Sequence, residues 1–272
     1  MTDSVREADP QTEPGMLGDA PTQAEAELFG EDIVARARQV IGRYPQARSA
    51  LLPLLHLVQS VEGYVSQRGI EFCAQQLDLA KAEVSAVATF YTMYKRRPCG
   101  EHLVSVCTNT LCAALGGDAI YAGLKQHLGV AHNETAGAPG TPGSITLEHA
   151  ECLAACDLGP VLQVNYEFFD NQTPDSALEL VRALQRGERP HPTRGAPLTD
   201  FRDVELQLAG FFDRPGVSFA DEVDGPSAAI ETVRGARLAN ERGWNAPPIP
   251  DDAPLPPLPS AGHPHPGTEK KQ

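Results

Sequence analysis

The sequence predicts an α+β protein in which a small helical bundle precedes a β-α-β-β-α domain, with termini that are disordered or wrap around a partner. Two observations support this fold class. Hydrophobic residues recur at helical spacing between residues 31 and 95, and short apolar runs of strand type replace them from His102 onward. The chain has 272 residues, 41% of them hydrophobic, which is enough for one sizeable core or two modest ones.

Residues 1–30 are the first predicted segment. They are rich in Pro, Gly, Glu and Asp and show no hydrophobic periodicity, so we expect an acidic disordered segment. The net charge of the chain is −14. Residues 1–32 contribute much of it, because they hold nine acidic residues and only one basic residue. No basic patch with interleaved aromatic residues occurs in the chain, so nucleic acid is not expected as a partner.

The sequence also lacks the features of a secreted or membrane-spanning chain. The acidic N-terminus has no apolar core, and the longest apolar stretch, residues 49–58, is too short to cross a bilayer. We therefore expect no direct membrane span and a cytoplasmic location. In that compartment thiols stay reduced, so spaced cysteines more often serve metal or redox chemistry than disulfides.

Residues 31–95 are predicted to form the helical domain. Apolar residues at helical spacing predict four helices, at residues 31–43, 48–62, 66–77 and 81–89. Gly63 is expected to end the second helix, and Ser66 is expected to cap the third.

Residues 96–190 are predicted to form the second domain, which contains the sheet. Strands are expected at residues 102–106, from 144, and at 160–164 and 167–169, the last two joined as a hairpin at residues 165 and 166. Helices are expected at 112–130 and 173–186, the latter with Thr173 as its cap and Pro174 in its first turn. No strand is followed by G-x-G-x-x-G, which argues against nucleotide binding by this chain.

Residues 191–272 are predicted to be a Pro-rich linker and a partner-wrapping tail. Residues 200–246 contain only short apolar clusters that lack a core of their own, and residues 247–268 are dominated by proline.

Four cysteines stand in two unequal pairs, each just after a predicted strand: Cys107 and Cys112, then Cys152 and Cys156. Zinc ribbons favour a repeated C-x2-C, and thioredoxin-type redox sites need C-x-x-C at a helix start, so neither pattern matches. A 2Fe–2S cluster needs two thiolates on each iron, which two pairs on two loops can supply. A zinc site and inert thiols remain alternatives from spacing alone. Cys73 and Cys99 are expected to be packing residues.

The surroundings of the two pairs bear on the reduction potential of such a cluster. Thr108, Asn109 and Thr110 offer hydrogen-bond donors that favour the reduced form. Glu151 and Asp157 flank the second pair, and negative charge nearby makes adding an electron harder. We expect a low potential.

The cysteine pairs and several other stretches resemble one family. The stretches EGYVS at residues 62–66, ATFYTMY at 88–94, VSVCTNTLC at 104–112 and ECLAACDLGPVLQVN at 151–165 are similar to the thioredoxin-like 2Fe–2S ferredoxins found as E subunits of bacterial NADH–quinone oxidoreductases. The resemblance covers about residues 33–187. It implies a thioredoxin-like sheet and makes Cys107, Cys112, Cys152 and Cys156 the four cluster ligands. Pro160 is the place for the cis-proline that thioredoxin-like sheets often carry.

The resemblance also implies a function and partners. It implies an electron-transfer subunit that carries one 2Fe–2S cluster. The cluster would exchange electrons with FMN on the F subunit, which binds NADH and the flavin. Other peripheral-arm subunits would be further partners, and the complex would lie at the cytoplasmic face of the membrane. NAD-reducing hydrogenases and NAD-dependent formate dehydrogenases carry a similar small subunit and are the close alternative. A zinc-bound or metal-free interaction module and a thiol oxidoreductase are alternatives of other classes.

The aromatic stretch at residues 88–94 has two interpretations. Aromatic residues at helical spacing usually belong to a core. The alternative is a surface for a larger subunit, formed by Phe90, Tyr91, Met93 and Tyr94.

Overall fold

The structure, a computed structural model, describes residues 29–213 and 230–244. The acidic segment expected to be disordered and the proline-rich run at 247–268 therefore fall outside the described residues, apart from Phe29 and Gly30. None of the helices in the described ranges is both long enough and apolar enough to span a bilayer.

Four helices form the N-terminal part, as predicted. They are α1 (Glu31–Ile41), α2 (Leu51–Glu62), α3 (Gln67–Leu77) and α4 (Lys81–Phe90), with a 3₁₀ turn at Ala47–Ala50 before α2. Gly63 ends α2 in the left-handed conformation at φ 78°, which a residue with a Cβ adopts at a cost. The Ser66 side chain accepts a hydrogen bond from the backbone N–H of Gly69 and so caps α3.

A five-stranded mixed sheet follows, so the predicted α+β class is confirmed. The strands are β1 (His102–Cys107), β2 (Glu134–Ala136), β3 (Ile145–Ala150), β4 (Leu162–Val164) and β5 (Glu167–Phe169). Their order across the sheet is β2-β3-β1-β4-β5. β1 and β3 run parallel with Cys107 opposite Ala150, so both strands end at the same edge of the sheet. The loops that follow them are therefore neighbours.

The predicted hairpin is present. Asn165 and Tyr166 both have positive φ, 48° and 70°, which is the backbone of a two-residue turn whose twist matches that of the flanking strands. The peptide bond between Gly159 and Pro160, just before β4, is cis, in agreement with the expectation for Pro160.

The single helix predicted at residues 112–130 is two helices. They are α5 (Thr110–Ala114) and α6 (Gly117–Leu128). Gly116 separates them with φ 114°, a conformation that ends one helix and lets the chain turn into the next. The strand β2 was not predicted, because its three residues are too few to show the alternation of apolar and polar residues that indicates a strand.

The helix α7 (Pro174–Gln185) begins as predicted, with Thr173 accepting from the backbone N–H of Ser176. α6 and α7 pack on the sheet in one core, to which Val104, Ile120, Leu147 and Leu184 belong. The helical part has its own core, centred on α2 and α3.

The helix α8 (Phe201–Leu208) lies within the segment predicted as linker and tail, yet it packs on the chain itself. Phe201 is fully buried against Leu103 of β1. Ala209 and Phe211, which follow α8, join the core of the helical part. The predicted boundaries at residues 30, 95 and 190, and the partner-wrapping role of the rest of the tail, stay predictions. A separate unit, residues 229–272, contains α9 (Ile230–Glu241).

Two buried polar contacts lie between the helical part and the sheet. The Glu205 carboxylate on α8 is fully buried, 2.6 Å from Nδ1 of His56 on α2, and it accepts a hydrogen bond from the Tyr166 hydroxyl at 3.1 Å. Lys95 Nζ lies 2.6 Å from the Glu148 carboxylate, which also accepts from the Ser105 hydroxyl. Each buried charge thus has a partner, as low dielectric surroundings require.

Candidate metal centre

The first cysteine loop begins where β1 ends. The backbone N–H of Cys107 donates to the Val161 carbonyl at 3.1 Å, and that of Thr108 donates to the Ala150 carbonyl at 3.1 Å. These two bonds tie the start of the loop to both neighbouring strands. The chain then turns into α5, which begins at Thr110 and carries Cys112 five residues after Cys107. Both cysteines are buried.

Gly117, at the start of α6, closes this loop. A Cβ at Gly117 would lie 2.5 Å from the Cys107 carbonyl oxygen and 2.9 Å from that of Cys112. Both neighbours are backbone atoms, so a side chain here would displace the two cysteines themselves. The backbone of α6 can approach the first pair this closely only because residue 117 is glycine.

The second cysteine loop follows β3. Cys152 and Cys156 are exposed, and their sulfurs lie 3.5 Å apart. Between them Ala154 has φ 58°, uncommon for a residue with a Cβ, and its backbone N–H points to Cys152 Sγ at 3.4 Å. Such N–H donors to sulfur stabilise added negative charge on a metal–thiolate group.

The two loops meet at Gly159. A Cβ at this position would lie 3.3 Å from Cys112 Sγ and 3.5 Å from the Cys156 carbonyl oxygen. The sulfur of one pair and the backbone of the other therefore flank a single glycine. Cys107 and Cys112 also share a small apolar cluster with Ala155 and Val161, to which Leu153, Leu158 and Phe168 add partly buried side chains.

A side-chain hydrogen bond links the loops at their outer edge. Asn109 Nδ2 donates to the Glu151 carboxylate at 3.0 Å. Asn109 stands at the N-cap position of α5, where its side chain would ordinarily accept from the helix, but no such cap bond forms. Its amide instead links the first cysteine loop to Glu151, directly before Cys152.

The pKa values of two of the thiols are shifted. Burial raises the pKa of Cys112, and contact with the Cys107 thiol raises it further. The pKa of Cys156 is raised by its hydrogen bond with Cys152 and by the charge that a second thiolate would bring. Two neighbouring thiolates repel each other, and a bound cation would remove that repulsion. Binding a metal here would therefore release the thiol protons.

The donor chemistry fits a 2Fe–2S cluster. Four thiols stand in two pairs on adjacent loops, with one sulfur pair covered by the chain and one facing outward, and each iron of the cluster takes two thiolates. Across residues 29–213 and 230–244, no three His, Cys, Asp or Glu side chains are grouped so as to hold a single metal ion.

Cys73 and Cys99 lie apart from these loops. Cys73 is fully buried in the helical core, and burial raises its pKa far above that of a free thiol. Burial raises the pKa of Cys99 to about 12, and its neighbours are Leu103 and Phe201. Their surroundings suit packing residues.

The aromatic stretch divides between the two interpretations. Tyr94 is buried and its hydroxyl donates to the Leu52 carbonyl at 3.0 Å, so it belongs to the core. Phe90 is 78% exposed and Tyr91 45% exposed, which fits a surface. Met93 is half-buried.

Sequence reasoning missed the roles of Gly117, Gly159 and Ala154, and it expected Asn109 to donate to a cluster, whereas its side-chain amide donates to Glu151. Two consecutive glycines at 116 and 117, directly after a cysteine loop, were the available signal for a close approach. The contacts of the other three depend on which segments meet, and no local pattern reports that.

Comparisons with known proteins bear on this site. The family model for thioredoxin-like [2Fe-2S] ferredoxins matches residues 37–185. The chain is 55% identical over 227 residues to the E subunit of the NADH-quinone oxidoreductase of Mycobacterium tuberculosis, covering 82% of this chain and 86% of that relative. It is 33% identical over 181 residues to the mitochondrial NADH dehydrogenase [ubiquinone] flavoprotein 2 of Dictyostelium discoideum, covering 65% of this chain and 70% of that relative.

A solved NAD+-reducing [NiFe]-hydrogenase is also similar, with a TM-score of 0.44 and 15% sequence identity over 50% of this chain and 22% of the hydrogenase chain.

Proposed function

Because the chain belongs to the thioredoxin-like [2Fe-2S] ferredoxin family, we propose that it is an electron-transfer subunit of an NADH–quinone oxidoreductase. In this proposal Cys107, Cys112, Cys152 and Cys156 hold one 2Fe–2S cluster. The observation that supports it most is the meeting of the two cysteine loops at Gly159, beside Cys112 Sγ. The mycobacterial relative, which is 55% identical and is covered over 86% of its length, supports the choice of complex.

When bound, the cluster supplies a one-electron carrier. The residues of this chain hold it and control its surroundings. Gly117 leaves room for the backbone of the first cysteine pair and Gly159 for Cys112 Sγ, and Ala155 and Val161 exclude water from the buried pair. Ala154 N–H and the bond between Asn109 and Glu151 fix the exposed pair and its loop.

The partner in this proposal is the F subunit, which binds NADH and FMN and performs hydride transfer. This chain performs no hydride transfer itself, in keeping with the lack of G-x-G-x-x-G in its sequence. As part of the peripheral arm it would lie at the cytoplasmic face of the membrane without entering it.

A hydrogenase or formate dehydrogenase that reacts with NAD could use an equivalent small subunit. The cysteine loops suit a subunit of either kind of complex equally well. The neighbouring genes would distinguish a quinone oxidoreductase from a hydrogenase or formate dehydrogenase.

The experiment that tests the function is anaerobic purification of the full chain, followed by its visible spectrum and its iron and acid-labile sulfide content. We expect a coloured protein with about two irons and two sulfides per chain. A colourless chain that holds zinc would replace the electron-transfer proposal with a zinc-bound interaction module.

A further inference from the structure

We infer that the surface beside the second cysteine loop docks the flavin-binding partner, and that the partner meets it with carboxylates and an apolar hollow. This docking face consists of Phe90, Tyr91, Arg96 and Arg97 on one side and residues 151–153 on the other. The inference rests on the proposed function, since it takes the flavin-binding subunit as the partner.

The docking face surrounds a crevice of about 690 Å³. One wall is formed by the chain from Ala88 to Cys99, at and after the end of α4, and the other by the end of β3 and the second cysteine loop. Cys152 itself lines the crevice. A partner segment that enters it therefore contacts one of the exposed thiols directly.

An aromatic anchor adjoins the crevice wall at Tyr91. Phe90 is 78% exposed, and its ring packs edge-on against Tyr91 with centroids 4.9 Å apart. Tyr91 in turn packs edge-on against Tyr94, which is buried and bonded to the Leu52 carbonyl. The exposed ring is thus held by a series of rings rooted in the core. An apolar side chain fixed in this way loses little conformational entropy on binding, as interface anchors require.

The charges in the crevice leave two cations for a partner. Glu148 is paired with Lys95 and also accepts from Ser105, whereas Glu151, bonded to the neutral amide of Asn109, keeps its negative charge on the opposite wall. The guanidinium groups of Arg96 and Arg97 are exposed and, over the part of the chain that the structure describes, make no hydrogen bond or ion pair. In a chain of net charge −14, this is positive charge open to a carboxylate.

The position of the docking face also suits electron exchange. Cys107 and Cys112 are covered by the chain, whereas Cys152 and Cys156 are exposed. A redox partner comes nearest to the proposed cluster from the side of the exposed pair, and the crevice lies on that side. One contact surface would therefore serve both binding and approach of the flavin.

The test measures binding of the anaerobically purified full chain to the isolated flavin-binding subunit. Reversing both charges with Arg96→Glu and Arg97→Glu should slow association at least tenfold at low salt and remove most of its salt dependence. Phe90→Ala should weaken binding about tenfold, mainly through faster dissociation. Because all three side chains are exposed, iron content should match that of the unaltered chain in every variant.

Matched controls are Arg182→Glu, an exposed arginine on α7, and Phe212→Ala, a phenylalanine that is 62% exposed. Phe90 adjoins Tyr91 of the crevice wall, whereas neither control residue lines the crevice or is a sequence neighbour of a residue that does, so both control variants should bind as the unaltered chain does. If the charge-reversed and Phe90 variants bind equally well too, the docking face is wrong while the proposed function stands. If the unaltered, iron-loaded chain does not bind the flavin-binding subunit, the partner assignment fails and the docking face fails with it.

Discussion

At the scale of single residues, the first cysteine loop depends on the absence of a side chain at Gly117. The carbonyl oxygens of Cys107 and Cys112 would lie 2.5 and 2.9 Å from a Cβ there. Real Cβ atoms do not approach backbone this closely, so both cysteines would have to move. A shift of a few tenths of an ångström matters at a metal site, because metal–thiolate bonds tolerate little variation in length.

Gly117→Ala should therefore lower the iron content of the purified chain severalfold. Gly123→Ala is the matched control, because Gly123 lies in the same helix and a Cβ there meets nothing within 4 Å. Alanine should stabilise the helix at position 123 by up to about 1 kcal/mol. Iron analysis and thermal unfolding of both variants are the measurements. Equal iron in the two variants would contradict the role of Gly117.

The six cysteines should divide into four and two. Serine at any one of Cys107, Cys112, Cys152 and Cys156 should remove most of the iron, since serine is a poor ligand for a cluster built on thiolates. Cys73→Ala and Cys99→Ala should keep it. Equal iron loss at all six positions would show that the assignment of packing cysteines is mistaken.

Cys73 and Cys99 should also be unreactive as thiols in the folded chain. Burial raises the pKa of Cys99 to about 12 and that of Cys73 further, so both stay protonated well above neutral pH. A protonated thiol is a poor nucleophile. Iodoacetamide at pH 8 should therefore modify Cys73 and Cys99 only after the chain unfolds, which mass spectrometry of digested samples can determine.

The charge of Glu151 and Asp157 should hold the reduction potential down. Glu151→Gln keeps an oxygen that can accept from Asn109 but removes a negative charge beside Cys152. A coupling of about 1.4 kcal/mol corresponds to roughly 60 mV for one electron, so a rise of up to that size is expected in an optical redox titration. Asp157→Asn should act in the same direction. A cluster in the unaltered chain that is reduced well above about −200 mV would contradict the low potential.

At the scale of elements, the structure forms helices where local signals were strong. Gly63 ends α2 and Ser66 caps α3, as their sequence positions predict, and Thr173 with Pro174 begins α7. Each signal acts within one turn of the backbone, so a single stretch of sequence carries it. The hairpin at Asn165 and Tyr166 belongs to the same class, because its two-residue turn is local.

Elements that depend on distant contacts were missed. The break between α5 and α6 follows from Gly116 in a left-handed conformation, which lets Gly117 reach the cysteine loop. The apolar residues of α8 and of the chain just after it resemble scattered clusters in sequence, because Phe201 is buried by Leu103 while Ala209 and Phe211, which follow α8, are buried by the helical core. A segment divided between two cores shows no single apolar face in sequence.

α8 should hold the helical part and the sheet together through Glu205. Its fully buried carboxylate bonds His56 and Tyr166, so Glu205→Ala leaves two buried polar groups without their partner. We expect the free energy of unfolding to fall by about 3 kcal/mol, measured by denaturant titration. Gln207→Ala on the same helix, whose side chain is only half-buried, should change it by less than about 1 kcal/mol. Equal effects of the two substitutions would show that the buried contact does not stabilise the chain.

At the scale of the whole molecule, the cysteine loops belong to the sheet, while the exposed aromatic and arginine residues follow the last helix of the helical part. Cys152, Tyr91 and Arg97 all line the crevice between these two regions. The position of each cysteine pair just after a strand predicted that the two loops would be neighbours, because parallel strands deliver their loops to one edge. The crevice wall opposite Cys152 could not be predicted, since Tyr91 and Arg97 lie more than fifty residues before it in sequence.

The proposal that four cysteines hold one cluster is tested most directly by iron anomalous diffraction from crystals of the anaerobically purified chain. Two iron peaks should appear at the junction of the cysteine loops, one bonded to Cys107 and Cys112 and the other to Cys152 and Cys156. A single metal peak at the zinc edge, or sulfur pairs separated by more than about a nanometre, would contradict it.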